Sequence, residues 1–446
     1  MLRKRWVLLA GLVGLGCGAP APAPAPDVVL VVVDTLRADH LGAYGFPLPT
    51  SPNLDRFAED AVVFERAIAA SASTVPSHAS LMTSRFVREH SVGWVNGTTR
   101  LEGAVTLAER FREAGWATGA FVSNFVLRRA SGLDAGFDVY DDAFSAAEPN
   151  RPGFYERAAP ATTARARAWL GDRADEPVFL FVHYQDPHGP YLPPAEWLEA
   201  FASLETTDAA PLPLLPGDDE PGGIPRYQAL PGLDRLGQYA RRYAGEIAYF
   251  DASFAELLAA LEARGRPNVV LVTADHGESF GEGGFYLNHG HATTPDQAHV
   301  PLLLRAPGIA AGRRRDPVHH VDVAPTLLAL AGLAVPGDVR GLALGAFLER
   351  GERLPERLLF SDVGSDVTAY GEGRLLRARR SGPLGPFAYA QRRWDAGEGE
   401  PIPTRPDDLE ALDAYLAESE PRVPIPKGLS DADRARLRAL GYLGDE

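Results

Sequence analysis

Thr74 stands in the stretch SASTVPSHASLMTS, residues 71–84, two positions before a proline and ahead of small and apolar residues. Proline suits the first turn of a helix, where its missing N–H has no partner to lose. Thr74 is therefore expected at or beside a helix N-terminus, where free backbone N–H groups and the helix dipole favour negative charge. A hydroxyl held there can cap the helix. It can also serve as a metal-activated nucleophile toward a tetrahedral oxyanion ester. Capping threonines are the commoner kind, so the rest of the chain has to decide.

Two acids and a histidine bear on that decision. Asp34 and the pair Asp275-His276 each follow an apolar run. Carboxylate oxygens alone suit Ca²⁺ or Mg²⁺, and a histidine nitrogen shifts the preference toward Mn²⁺ or Zn²⁺. His183, Asp186 and His188 lie together in HYQDPHGPY, and His289 and His291 in NHGH, so four of the eleven histidines fall in two short loops. The chemistry open to them is leaving-group protonation, oxyanion binding or ligation of a second metal. His299 and the pair His319-His320 read as packing or surface residues.

The elements that must position these residues can be read from periodicity. DVVLVVV, residues 27–33, is a continuous β-branched run ending at Asp34, the mark of a strand buried on both faces. Similar runs at 178–183 and 268–273 deliver the Asp186 loop and Asp275, and 62–67, 116–123 and 300–305 are further strand candidates. Helices are expected at 52–60, around Thr74, at 101–114, 163–170, 243–263 and 324–331. Strands alternating with helices from 27 to about 335 predict an α/β fold with a mostly parallel sheet, whose chemistry gathers at the strands' carboxyl ends. The segment 201–235 carries too many prolines and glycines for a regular element and reads as a surface loop or insertion. Residues 361–380 can supply one or two strands, 381–428 read as largely irregular, and a last helix begins at Ser430.

The chain has 446 residues, is 45% hydrophobic and carries a net charge of −15, which argues against a nucleic-acid partner. Its single cysteine, Cys17, excludes an internal disulfide. Cys17 closes an apolar run that follows Arg3, Lys4 and Arg5 and precedes an Ala-Pro repeat. The run is too short to span a bilayer and reads as an export signal. It resembles a bacterial lipoprotein signal over residues 1–17, with Cys17 lipidated and 18–26 as a tether, although Gly14 departs from the usual leucine. On this reading the protein is exported and membrane-anchored only through that lipid.

The segments VVVDTLRADHLGAYG, TSPNLDRFA, TVPSHASLMTS, GAFVSN, GFDVYDD, HYQDPHGPY, YAGEIAYFD, TADHGESFGE, HVPLLLRAPG and VDVAPTLLALAGL occur in this order. Together they resemble the sulfatase family of the alkaline phosphatase superfamily over about residues 27–345. The resemblance implies an α/β/α sandwich with a smaller C-terminal subdomain, here 346–446. It implies metal ligation by Asp34, Asp275 and His276, an oxyanion contact from His188, and His291 near the place of an oxyanion-binding lysine. Asn96 and Asn124 are implied for the pocket wall, beside His78 and His183. It points to sulfate esters, of small molecules or glycans, as substrates.

Two departures qualify this. Thr35 stands where many sulfatases have a second metal-binding Asp. The family's formylglycine arises from the first residue of a C/S-x-P-S-R motif, which here reads Thr74-Val75-Pro76-Ser77-His78. A threonine cannot yield that aldehyde. Thr nucleophiles do serve in related superfamily members acting on phosphate esters, usually with zinc and extra Asp and His ligands, for which Asp186, His188, His289 and His291 are candidates. The expectation is a metal-dependent hydrolase of sulfate or related phosphate esters with Thr74 as nucleophile and metal ligand. The alternatives are a zinc-type phosphodiesterase or phospho-headgroup transferase, and an inactive sulfatase-like binding protein.

Overall fold

The computed structural model describes residues 24–93, 99–144, 146–207, 210–218, 220–380, 386–394 and 398–418. The expected export signal with Cys17, most of the expected tether, Asn96 and the helix expected from Ser430 lie outside the described residues. The β-branched runs form the centre of a nine-stranded sheet. Asp27–Val33 pairs in parallel with Asn268–Ala274 on one side and Val178–Tyr184 on the other. Ala117–Phe121 and Val139–Asp141 continue the parallel run outward. His299–Arg305 is antiparallel to both its neighbours, Asn268–Ala274 and Val62–Ile68. Every residue of Asp27–Val33 and of Val178–Tyr184 is buried, as expected of strands covered on both faces.

Helices cover the sheet in two layers. Pro52–Glu59, Ala159–Gly171 and the long Leu236–Glu262 pack together on one side, and Thr74–Thr83, Leu107–Glu113, Val323–Leu330 and Leu344–Glu349 on the other. Leu236–Glu262 buries Ile247, Phe250, Phe254, Leu257 and Leu261, the stripe expected from its spacing. Each such side chain contributes about 1.5–3 kcal/mol.

Three expectations are corrected. The helix anticipated from Leu101 starts only at Leu107, because Thr106 caps it: its hydroxyl accepts from Glu109 N–H while the Glu109 carboxylate accepts from Thr106 N–H. The 201–235 segment is not merely a surface loop. It holds the turns Glu199–Thr207 and Arg226–Gln228, and Tyr227 and Gln228 are buried, both donating to the Leu287 carbonyl. The C-terminal part is more regular than its composition suggests. Leu359–Asp362, Asp366–Gly371, Arg374–Arg380, Phe387–Trp394 and Glu398–Pro401 form an antiparallel sheet. Helix Pro406–Ala417 lays Leu412 and Tyr415 against Val367, Ala369, Leu376 and Ala378 of that sheet. Ile68 of the large sheet and Ala298, the last residue of the short helix Pro295–Ala298, pack with Leu359, Tyr370, Leu375 and Trp394 at the seam.

Candidate active site

Three adjacent parallel strands end side by side, and the chain turns there deliver the site. Asp34 follows Asp27–Val33, Asp275 follows Asn268–Ala274, and the Gln185–Tyr191 loop follows Val178–Tyr184. Asp34, Asp275 and His276 are each fully buried, and one ligand atom from each falls within 4.8 Å of the others. Each carboxylate is pinned by one oxygen. Asp34 Oδ2 accepts from Asn124 Nδ2 at 2.7 Å, and Asp275 Oδ1 accepts from His276 N–H at 2.8 Å and Thr35 N–H at 3.2 Å. The other oxygens, Asp34 Oδ1 and Asp275 Oδ2, have no hydrogen-bond partner, nor has the Thr35 hydroxyl.

His276 is oriented to complete the group. Its Nδ1 lies 3.0 Å from the Gly277 carbonyl, to which it donates. That leaves Nε2 as a lone pair 3.6 Å from Asp275 Oδ2, 3.8 Å from Asp34 Oδ1 and 3.4 Å from Thr74 Oγ1, the second-layer arrangement that fixes a ligating imidazole. Burial pulls the His276 ring down to about 3, so at neutral pH it is the neutral, ligating form. Burial, then the charge of Asp34, pushes the Asp275 carboxyl well above the carboxylate range. Two buried carboxylates, each with one unpartnered oxygen near the His276 nitrogen, and a neutral imidazole fit a divalent cation, which would satisfy all three at once. Thr35 sits in the left-handed region at φ 55°, rare for a β-branched residue. That conformation aims its N–H at Asp275, while its carbonyl accepts from Tyr243 Oη at 2.7 Å.

Thr74 is the first residue of helix Thr74–Thr83, whose residues are all buried, with Ser73 at the N-cap position. Thr74 is 1% exposed. The helix is tied to the metal-type group by Ser77, whose hydroxyl donates to the Asp275 carbonyl at 2.6 Å. His320 wedges between helix and strand, 2.9 Å from Ser77 Oγ and 3.0 Å from the Ala274 carbonyl. His78, in the motif's arginine position, donates from Nδ1 to the Thr74 carbonyl at 2.8 Å and stacks edge-on against His183, ring centres 5.1 Å apart.

Of the loop histidines, His188 and His289 join the site. His289 lies 4.6 Å from the His276 ring and 5.1 Å from that of His188, centre to centre. His188 Nδ1 faces the Gly189 carbonyl at 2.7 Å, and burial lowers its ring well below the usual histidine range. Glu278 was not singled out from sequence. It is buried, holds His289 Nδ1 at 3.1 Å and accepts from Tyr191 Oη at 2.9 Å. Its signal was an acid three residues past Asp275, in ADHGES, with nothing to say where it pointed.

Two candidates go elsewhere. His291 stacks on Phe285 and meets Gln297, lining a cavity of about 290 Å³ with Arg37, Arg377 and Arg379 that Thr74 and the Asp34 group do not line. Asp186 turns away: its Oδ2 accepts from Ala159 N–H at the start of a helix, and its carboxyl hydrogen-bonds to Glu246. Among the described residues, Asp186, His188, His289 and His291 therefore do not assemble into a second ligand set.

Comparison with known proteins bears on this geometry. Residues 26–333 match the sulfatase family model. The chain is 27% identical over 361 residues to the uncharacterized sulfatase YidJ of Escherichia coli K12, spanning 70% of this chain and 69% of that protein. It is 26% identical to human iduronate 2-sulfatase, spanning 79% and 77%. Among solved structures, the phosphonate monoester hydrolase of Agrobacterium radiobacter superposes with a TM-score of 0.66 at 18% identity, covering 88% of this chain and 94% of that one.

Proposed function

We propose that this chain, which belongs to the sulfatase family, hydrolyses sulfate or phosphate esters by direct attack of Thr74. Family relatives are ester hydrolases, and names such as iduronate 2-sulfatase point to sulfated sugars as one substrate class. The observation that carries the reading is Thr74 Oγ1 at a buried helix N-terminus, 3.4 Å from His276 Nε2, which itself lies 3.6 and 3.8 Å from two carboxylate oxygens with no partner. A bound cation there supplies positive charge that lowers the hydroxyl's pKa and neutralises ester oxygens.

The residues do the rest. Asn124, Thr35 N–H and the Gly277 carbonyl hold Asp34, Asp275 and His276 in register. Thr74 Oγ1 gives its proton to the His289 imidazole, held by Glu278, and bonds to sulfur or phosphorus as the ester oxygen leaves. His289 then returns that proton to the departing oxygen, with the His188 ring 5.1 Å from its own. Water then opens the Thr74 ester and returns the hydroxyl. This second step favours phosphate as the alternative substrate, because no formylglycine hydrate is present to expel sulfate by elimination.

The test is turnover of p-nitrophenyl sulfate, p-nitrophenyl phosphate and the bis ester, with Zn²⁺, Mn²⁺ or Ca²⁺ supplied. Thr74→Ala is expected to lose at least about 10³-fold in kcat/KM, with Thr74→Ser retaining much of it. Turnover unaffected by Thr74→Ala would remove the nucleophile assignment. No turnover on any ester would favour a binding protein.

A further inference from the structure

We infer that His78, His183 and Asp275 form a second divalent-cation site that shares Asp275 with the Asp34–Asp275–His276 group. The three residues are fully buried, and one ligand atom from each lies within 4.8 Å of the others. They come from three different elements: His78 from helix Thr74–Thr83, His183 from strand Val178–Tyr184, and Asp275 from the end of Asn268–Ala274.

A histidine that merely fills a core hydrogen-bonds through at least one ring nitrogen, because leaving a buried polar atom unpaired is costly. His183 does not: both its ring nitrogens lack a hydrogen-bond partner. The nearest carboxylate approach is Nε2 to Asp34 Oδ2 at 3.5 Å, an oxygen already held by Asn124. His78 spends Nδ1–H on the Thr74 carbonyl, which leaves Nε2 buried and without a partner. Asp275 Oδ2 is the third such atom. It lies 3.6 Å from His276 Nε2 and 3.8 Å from the nearer nitrogen of the His78 ring, the one that donates to Thr74, and so borders both groups.

Two imidazoles and one carboxylate are a donor set for Zn²⁺, Mn²⁺ or Fe²⁺ and a poor one for Ca²⁺ or Mg²⁺, which take oxygen. A carboxylate shared between two cations is the usual bridge in paired sites, whose ions lie about 3.5–4 Å apart. The site differs from the set suggested by the loop histidines, and its existence does not rest on which ester is the substrate.

The test is metal content. Full-length protein stripped with chelator, reloaded with Zn²⁺ and desalted is expected to hold two equivalents by mass spectrometry of the metal. His183→Asn, checked for its fold by circular dichroism, is expected to hold one. One equivalent in the wild type, or two retained in His183→Asn, overturns the proposal. Should the variant not fold, anomalous scattering at the zinc edge from wild-type crystals decides. Two peaks flanking Asp275 support the site, and one peak overturns it.

Discussion

Asp362 and Asp275 are both fully buried acids at strand ends, one in the C-terminal sheet and one in the large sheet. Both Asp362 oxygens are taken: Oδ1 accepts from Gly364 N–H, and Oδ2 from Arg88 Nε at 2.7 Å and Tyr415 Oη at 3.1 Å. Arg88 also lies over the Tyr415 ring, 5.3 Å from its centre. Asp275 has one oxygen filled and one open, beside the open oxygen of Asp34. Burial alone therefore does not mark a functional acid. The Asp362 carboxylate is fully taken up and joins the helix Val87–His90 to the C-terminal sheet and helix, whereas the cluster around Asp275 leaves carboxylate oxygens complete only with something added. Asp186 is a third case, two acids that satisfy each other by sharing a proton with Glu246.

Each case breaks differently. Arg88→Met leaves the Asp362 carboxylate buried without its cation and is expected to cost about 3–5 kcal/mol of stability by denaturant unfolding. Its folded fraction is expected to keep metal content and turnover, and a loss of metal would mean that the two acidic clusters are coupled. The Asp186–Glu246 pair should show in the pH dependence. Burial raises Asp186 to about 6, and burial, then the charge of Asp186, lifts Glu246 well above its usual range. The folded state thus holds these protons more tightly than the unfolded chain. The Asp186 part of that stabilisation is full below about pH 4 and lost as pH rises through about 6, and the Glu246 part is lost as pH rises through its own raised value. Glu246→Gln keeps the acceptor for Leu192 N–H and removes one charge. It is expected to stabilise the protein by about 1–2 kcal/mol at pH 8 and to change little at pH 4. An equal effect at both pH values would contradict a shared proton.

The contrast also explains what was legible in the sequence. The central strands were, because Asp27–Val33, Val178–Tyr184 and Asn268–Ala274 are apolar through their buried lengths, and their last residues announced Asp34 and Asp275. Phe387–Trp394 was not: only Gln391 and Trp394 are buried among its residues, so no alternation betrayed it. The loop residues were legible as chemistry but not as direction. His289 and His291 are two apart in one loop, and only the first faces His276. Asp186 is spent on a helix start and on Glu246, partners 27 and 60 residues away in sequence. The left-handed backbone of Thr35, which turns its N–H to Asp275, had no sequence signal, since threonine seldom adopts it.

The central claim is that the open oxygens of Asp34 and Asp275 await a cation. The most direct test is thermal unfolding of the chelator-stripped protein titrated with Zn²⁺, Mn²⁺ and Ca²⁺, beside Asp275→Asn. Asparagine keeps the acceptor for Thr35 and His276 N–H and removes the carboxylate that would bind the ion. The account predicts that at least one ion raises the wild-type Tm in a concentration-dependent way. It also predicts that the stripped Asp275→Asn protein melts at or above the stripped wild type and does not respond to that ion. A wild-type Tm unmoved by all three ions, or the same rise in Asp275→Asn, would contradict it.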